Sequence, residues 1–126
     1  MAHLTGREKE AIQADPHAVL QQFSREWQAA VALKGARTLI GTPEGACWEH
    51  RGGNSGLGVS GSGDTLAGII GGLIARGAPL TQAAVWGVAL HARAGDALAA
   101  RSGPIGYLAR DLSAEVPRLM QGLAAG

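Results

Sequence analysis

Cysteine is nearly absent: Cys47 is the only one in 126 residues, which excludes an internal disulfide framework and a thiolate zinc cluster. A single thiol fits a reducing compartment, and Cys47, beside Trp48 on an expected strand, reads as a small buried apolar residue and not as a nucleophile. An excess of one charge is also lacking. Lys and Arg number 11, Asp and Glu 10, for a net charge of +1, so the chain has no electrostatic footprint for nucleic acid or an anionic membrane. No apolar run approaches the roughly 18 residues of a spanning helix, and no basic region followed by an apolar stretch opens the sequence. The expectation is a cytoplasmic protein with neither nucleic acid nor membrane as partner. Aromatic residues make up only 4%, so the core must rely on small side chains that let backbones approach closely. Lysine occurs only as Lys9 and Lys34, neither in a Gly-Lys-Ser/Thr sequence, which excludes a Walker P-loop. His3, His17, His50 and His91 have neither HExxH spacing nor a cysteine companion, and no metal site is expected from them.

What is abundant is glycine. There are 20, about twice the usual share of roughly 7%. Nine of them lie between Gly52 and Gly72. The excess is local and runs straight into a periodic helix, which suggests a site and not a linker.

Asp15-Pro16 supplies an N-cap and a first helical residue, and Val19, Leu20, Phe23 and Trp27 recur at helical spacing, predicting a helix over about 16–29. Residues 31–34 and 38–41 are short β-prone runs flanking Gly35-Ala36-Arg37. Thr42-Pro43-Glu44-Gly45 is a turn leading to a weak strand near Cys47 to His50. After a Gly/Ser/Asn loop over 51–63, Leu66, Ile69, Ile70, Leu73 and Ile74 mark one face of a helix ending near Arg76-Gly77. A third helix is predicted over about 81–101 with Thr81 as N-cap, then a loop over 102–107, then a fourth helix over about 112–123 behind Asp111 and Ser113. Short strands followed by adjacent apolar helices look like the end of an α/β sandwich whose main parallel sheet lies elsewhere.

The sharpest local feature is Gly61-Ser62-Gly63-Asp64, where the glycine-rich loop becomes a helix. The free amides of Gly61, Ser62, Gly63 and Asp64 and the positive end of the helix dipole form an anion hole that glycines leave open to phosphate. A carboxylate would repel phosphate there unless it accepts a proton from an attacking hydroxyl, so Asp64 is either a general base or simply a helix cap. Gly56 to Gly61 spells G-x-G-x-x-G, but no apolar strand precedes it and no acidic residue follows about 20 residues on, which argues against a dinucleotide fingerprint. Lys34-Gly35-Ala36-Arg37-Thr38 either meets a nucleotide or is a tight turn with solvated cations. Asn54, next to Gly53, either orients a hydroxyl or phosphate or tolerates a left-handed turn. His91 and Asp96 sit in the third helix, where packing and solvation are the default explanations.

Taken together, Val31 to Thr38 (VALKGART), Gly53 to Leu57 (GNSGL), Gly61 to Gly68 (GSGDTLAG) and Gly87 to Asp96 (GVALHARAGD) resemble, in order and spacing, the ADP-dependent NAD(P)H-hydrate dehydratases. The likeness continues through Gly106 and Leu108 to Leu112 and so covers essentially the whole chain. It implies a ribokinase-like α/β/α sandwich, of which residues 1–126 would be a single partial domain corresponding to the C-terminal half. It also implies repair of hydrated NADH or NADPH at the expense of ADP or ATP, with magnesium accompanying phosphoryl transfer. By position, Lys34, Gly35, Ala36, Arg37 and Thr38 resemble the segment that holds the adenine nucleotide, and Gly63 its partner beside the phosphates. Asp64 resembles the residue that contacts the hydrate and takes its hydroxyl proton, with Asn54 a further substrate contact. Thr65 stands where the family usually has Val, Ser55 where Pro is common, and Gly58-Val59-Ser60 replaces a usual Ala-Thr stretch; none removes a reacting group. Met1 to Gly6 resembles the stretch just after the family's His-Pro-Gly-Glu-like segment, so His3 does not take that histidine's role. A chain of this extent would leave sheet edges and apolar faces open, and self-association or dependence on a missing N-terminal half is expected. The alternatives are a kinase of the same fold acting on a vitamin precursor or sugar, and a catalytically silent fragment.

Overall fold

The structure, a computed structural model, describes residues 9–35, 37–52, 55–58 and 60–125. The chain divides into two compact units, Met1–His50 and Arg51–Gly126.

The first unit includes a short helix, α1 (Lys9–Ala14), that the sequence pattern did not predict. Helix α2 (Pro16–Trp27) begins as its sequence demands: Pro16 sits in the first turn and the Asp15 carboxylate accepts the Ala18 amide at 3.1 Å. It ends two residues before the predicted boundary because Gln28 turns left-handed, with φ 49°. Strands β1 (Val31–Leu33), β2 (Arg37–Gly41) and β3 (Cys47–Arg51) form a sheet in chain order. β1 and β2 are antiparallel, with Val31 opposite Gly41, Ala32 opposite Ile40 and Leu33 opposite Leu39. The β2–β3 connection is a type I turn followed by a left-handed glycine: the Gly45 amide donates to the Thr42 carbonyl at 3.1 Å, the Thr42 amide to Ala46 at 3.0 Å, and Gly45 has φ 97°. Pro43 presets that turn and Gly45 supplies the one conformation an L side chain resists.

Helix α2 packs on β1 and β2, burying Leu20 with Val31 and Leu39, and Val19 and Phe23 with Ile12; Leu33 touches both groups. The expected buried Cys47 is instead exposed, its Sγ 3.8 Å from His17 Nδ1. β3 is the outer strand and all of its residues except His50 are exposed.

The second unit holds a 3₁₀ turn (Ser55–Gly58) and three helices: α3 (Ser62–Ala75), α4 (Leu80–Ser102) and α5 (Ala109–Ala125). Helix α3 ends in a Schellman motif, the Gly77 amide donating to Ile74 at 2.9 Å and the Ala78 amide to Leu73 at 3.1 Å, with Gly77 at φ 98°. Helix α4 starts one residue before the expected Thr81, after Pro79 at φ −58° and ψ 149°, with no side-chain cap. Proline's fixed extended conformation thus sets the boundary where a hydroxyl cap was expected. Helix α5 begins earlier than predicted because the Asp111 carboxylate reaches back to accept the Leu108 amide at 2.9 Å, the return half of a capping box. Pro117 lies inside α5.

The core of this unit is Ala94, Leu98, Tyr107 and Leu112, with Leu57, Ala99 and Leu119 against it. Arg101 of α4 pairs with the buried Glu115 of α5. That hydrogen bond holds the Glu115 carboxyl below its usual pKa and raises that of Arg101. Among the described residues no helix is long and apolar enough to cross a membrane.

Candidate functional site

The first turn of α3 assembles Gly61, Ser62, Gly63 and Asp64 at one helix end. Gly61 is the N-cap, with φ 88°, and offers no side-chain cap. The left-handed backbone there favours glycine, and a glycine cap leaves the helix's opening amides without the partner that Ser, Thr or Asp would supply. The first closing bond inside the helix is the Thr65 amide to the Gly61 carbonyl at 3.1 Å. The amides of Gly61, Ser62, Gly63 and Asp64 are therefore the donors that an α-helix leaves unpaired at its start.

Gly63 and Asp64 are exposed, and Ser62 is buried. Asp64 is the acidic residue of the first turn but not its N-cap, and no hydrogen bond or ion pair joins its carboxylate to another described residue. The cap alternative for Asp64 therefore gives way to an uncommitted carboxylate at the rim of the open amides, stabilised by the positive end of the dipole.

Two contacts from behind hold the turn. His91, in the middle of α4 and 6% exposed, places Nε2 2.9 Å from Ser62 Oγ and 3.1 Å from the Ser62 carbonyl oxygen. Thr65 Oγ1 donates toward the carbonyls of Gly61 at 3.2 Å and Ala109 at 3.4 Å, tying the turn to the start of α5. Helical position alone makes His91 a packing residue and does not register this bond. Its trace in the sequence is the spacing Gly87-x3-His91-x3-Gly95, a histidine between two glycines on one helical face.

The other expected residues lie apart in the chain. Lys34 and Gly35 form the exposed turn after β1, and Arg37 and Thr38 open β2. Arg37 is engaged across the sheet, its Nη1 3.2 Å from Glu49 Oε1. Lys34 is exposed and makes no ion pair with a described residue. These residues belong to the first unit and the α3 turn to the second. Ala36 and Asn54 lie outside the described residues. The G-x-G-x-x-G over 56–61 begins in the 3₁₀ turn and does not join a strand to a helix, consistent with rejecting a dinucleotide fingerprint. Among the described residues no three His, Cys, Asp or Glu side chains come together as a metal cage.

An open amide cluster with a free carboxylate at its edge can bind a phosphoryl group and take a proton from a hydroxyl that attacks it. The chain is also similar to known proteins. A family profile described as NAD(P)H-hydrate dehydratase matches residues 1–118. The ADP-dependent (S)-NAD(P)H-hydrate dehydratase of Xanthomonas campestris pv. campestris is 48% identical over 126 residues, 100% of this chain and 44% of that protein. Among solved structures, the ADP/ATP-dependent NAD(P)H-hydrate dehydratase from Bacillus subtilis, co-crystallised with ATP/Mg2+, superposes with a TM-score of 0.90 at 28% identity, covering 95% of this chain and 43% of that one. A ribokinase-like superfamily protein from Enterococcus faecalis V583 matches with a TM-score of 0.74 at 33% identity, over 83% of this chain and 36% of that one. The fold is thus part of a ribokinase-like α/β architecture, and the chain spans less than half the length of these relatives.

Proposed function

Since the chain belongs to the NAD(P)H-hydrate dehydratase family, we propose that it acts in the ADP-dependent repair of hydrated NADH and NADPH, with the first turn of α3 as the phosphoryl-transfer site. The observation that carries this reading is the glycine-capped helix start whose amides are open and whose only carboxylate, Asp64, is exposed and uncommitted.

In the proposed reaction the hydrate's hydroxyl oxygen attacks the terminal phosphorus of ADP. An O–P bond forms, the bond to the bridging oxygen breaks, and AMP leaves; Asp64 takes the hydroxyl proton. The amides of Gly61, Ser62 and Gly63 stabilise the charge on the transferring group. The phosphate ester then eliminates: its C–O bond breaks, a proton leaves the neighbouring carbon, a C=C bond forms, and inorganic phosphate departs. Hydroxide is a poor leaving group and phosphate a good one, which is the chemical reason for consuming a nucleotide. Asn54 would orient the hydrate, while Lys34, Gly35, Ala36, Arg37 and Thr38 would hold the nucleotide, with Gly63 beside its phosphates. Magnesium accompanying the nucleotide would supply charge neutralisation during phosphoryl transfer. A cytoplasmic setting, where the reduced nicotinamides are made and used, suits this role.

The test is recovery of reduced-nicotinamide absorbance from NADH hydrate with ADP and magnesium, followed across protein concentration so that self-association registers as rising specific activity. Turnover that yields AMP and inorganic phosphate supports the reading. Accumulation of a stable phosphate ester would replace it with a kinase of the same fold, and no turnover by the folded chain would favour a silent fragment.

A further inference from the structure

We infer that His91 is a positioning residue for the anion-binding turn and acts through a single peptide group, that between Ser62 and Gly63; this rests on the reading of that turn as the phosphoryl site. A buried imidazole in a helix interface is unfavourable unless its nitrogens are satisfied. Its Nε2 faces two oxygens of one residue, Ser62 Oγ at 2.9 Å and the Ser62 carbonyl at 3.1 Å. A carbonyl oxygen can only accept, so the ring carries its proton on Nε2 and donates it toward Ser62.

The Ser62 carbonyl and the Gly63 amide are the two ends of the same planar peptide. A donor that fixes the carbonyl end therefore fixes the direction of the Gly63 N–H and, by polarising the peptide, strengthens it as a donor. Gly63 is the exposed second residue of α3, and its amide is one of the unpaired opening donors. An ordinary helix start is rigidified by a side-chain cap that consumes these amides. Here the stiffening comes from the opposite side, through a carbonyl, and the amides stay available.

The packing of α4 places the imidazole there. Gly87, His91 and Gly95 follow one another at intervals of four on one face. A methyl group at Gly87 would collide with Ile70 of α3, and one at Gly95 would come within 2.7 Å of Leu57. Glycine at 87 lets α4 approach α3 closely enough for a mid-helix histidine to reach main-chain atoms of α3, while glycine at 95 admits Leu57 of the 3₁₀ turn on the same face.

Three readouts on the isotopically labelled 126-residue chain test this. In the wild type, ring 15N shifts should show His91 as the Nε2–H tautomer; the Nδ1–H tautomer overturns the inference. In His91→Leu, which keeps apolar bulk and removes the donor, the Gly63 amide should move upfield while that of Gly71, further along the same helix, holds. Affinity for pyrophosphate, used as the probe, should fall about tenfold, the size of one lost hydrogen bond. His91→Gln presents an N–H at nearly the same reach and should recover most of both. An unmoved Gly63 amide in the folded Leu variant, or a Gln variant no better than Leu, overturns the inference, and should Leu prevent folding the wild-type tautomer still decides. A wild-type chain indifferent to pyrophosphate would instead count against the phosphoryl-site reading, since the tautomer and the Gly63 shift are read without any anion.

Discussion

Among the described residues each unit buries one serine hydroxyl at a helix end, and the two are used in opposite ways. Ser24, at the C-terminal end of α2, is fully buried, with Oγ 2.7 Å from the Ala29 carbonyl and 3.0 Å from that of Gly41. It closes a helix end by tying terminal and strand carbonyls together. Ser62, at the N-terminal end of α3, faces inward to His91, and no side-chain cap from the Gly61 position takes up the amides beside it. The first arrangement spends its polar groups on cohesion; the second secures a helix start from behind and leaves its donors facing outward. The two helix ends are thus distinguished by which side of the turn is satisfied, more than by how many hydrogen bonds each makes.

The comparison breaks most visibly at Asp64. Replacing the proposed base by Asn should lower ADP-dependent turnover of NADH hydrate by about 10²–10⁴-fold while leaving the thermal midpoint unchanged, because the exposed carboxylate has no described partner to lose. A turnover loss matched by a fall in melting temperature would show Asp64 to be structural. Next in size is Gly87→Val, which forces bulk between α3 and α4 and should destabilise the second unit by about 1–3 kcal/mol in urea unfolding. Ser24→Ala should cost about 1–2 kcal/mol and register at residues of the first unit by hydrogen exchange.

A pH experiment sharpens the contrast further. Arg101 holds the Glu115 carboxyl below its usual value, so the folded state binds fewer protons there than the unfolded chain does. That stabilisation is fully present above the ordinary carboxylate range and is lost as pH falls through the lowered pKa. Acid unfolding of Glu115→Gln should lie below the wild type near neutrality and converge with it at low pH; parallel curves would show the pair to be silent. The smallest effect is expected at Arg37→Ala. Its cross-strand pair with Glu49 is exposed and worth at most about 1 kcal/mol, so any larger loss in nucleotide affinity than in stability would mark Arg37 as a ligand contact.

Much of the fold was legible in the sequence because it is set within a few residues. Asp15-Pro16 starts α2, Thr42-Pro43-Glu44-Gly45 makes the β-turn, and Gly77 ends α3 where the periodicity stops. The boundaries that moved did so through contacts that spacing does not register: the Asp111 reach to Leu108 and the extended Pro79 before α4. The apolar face predicted for α3 is only partly covered, Leu66 being buried while Ile74 is 38% exposed. Periodicity marks a face able to bury and says nothing of what lies against it. In the candidate site, Gly61-Ser62-Gly63-Asp64 is legible from composition and position, whereas the nucleotide role proposed for Lys34 to Thr38 rests on resemblance.

By itself the sequence determined the local chemistry: a glycine-rich helix start with a carboxylate in its first turn, and turn residues where the chain reverses. Those features follow from backbone torsion preferences and hydrogen bonds that close within four residues. Only the tertiary structure decided that Cys47 faces outward and that His91 faces the Ser62 carbonyl. Burial and long-range hydrogen bonds depend on which elements meet, and here the meeting of α3 with α4 is set by a side chain that is absent, at Gly87, as much as by any that are present.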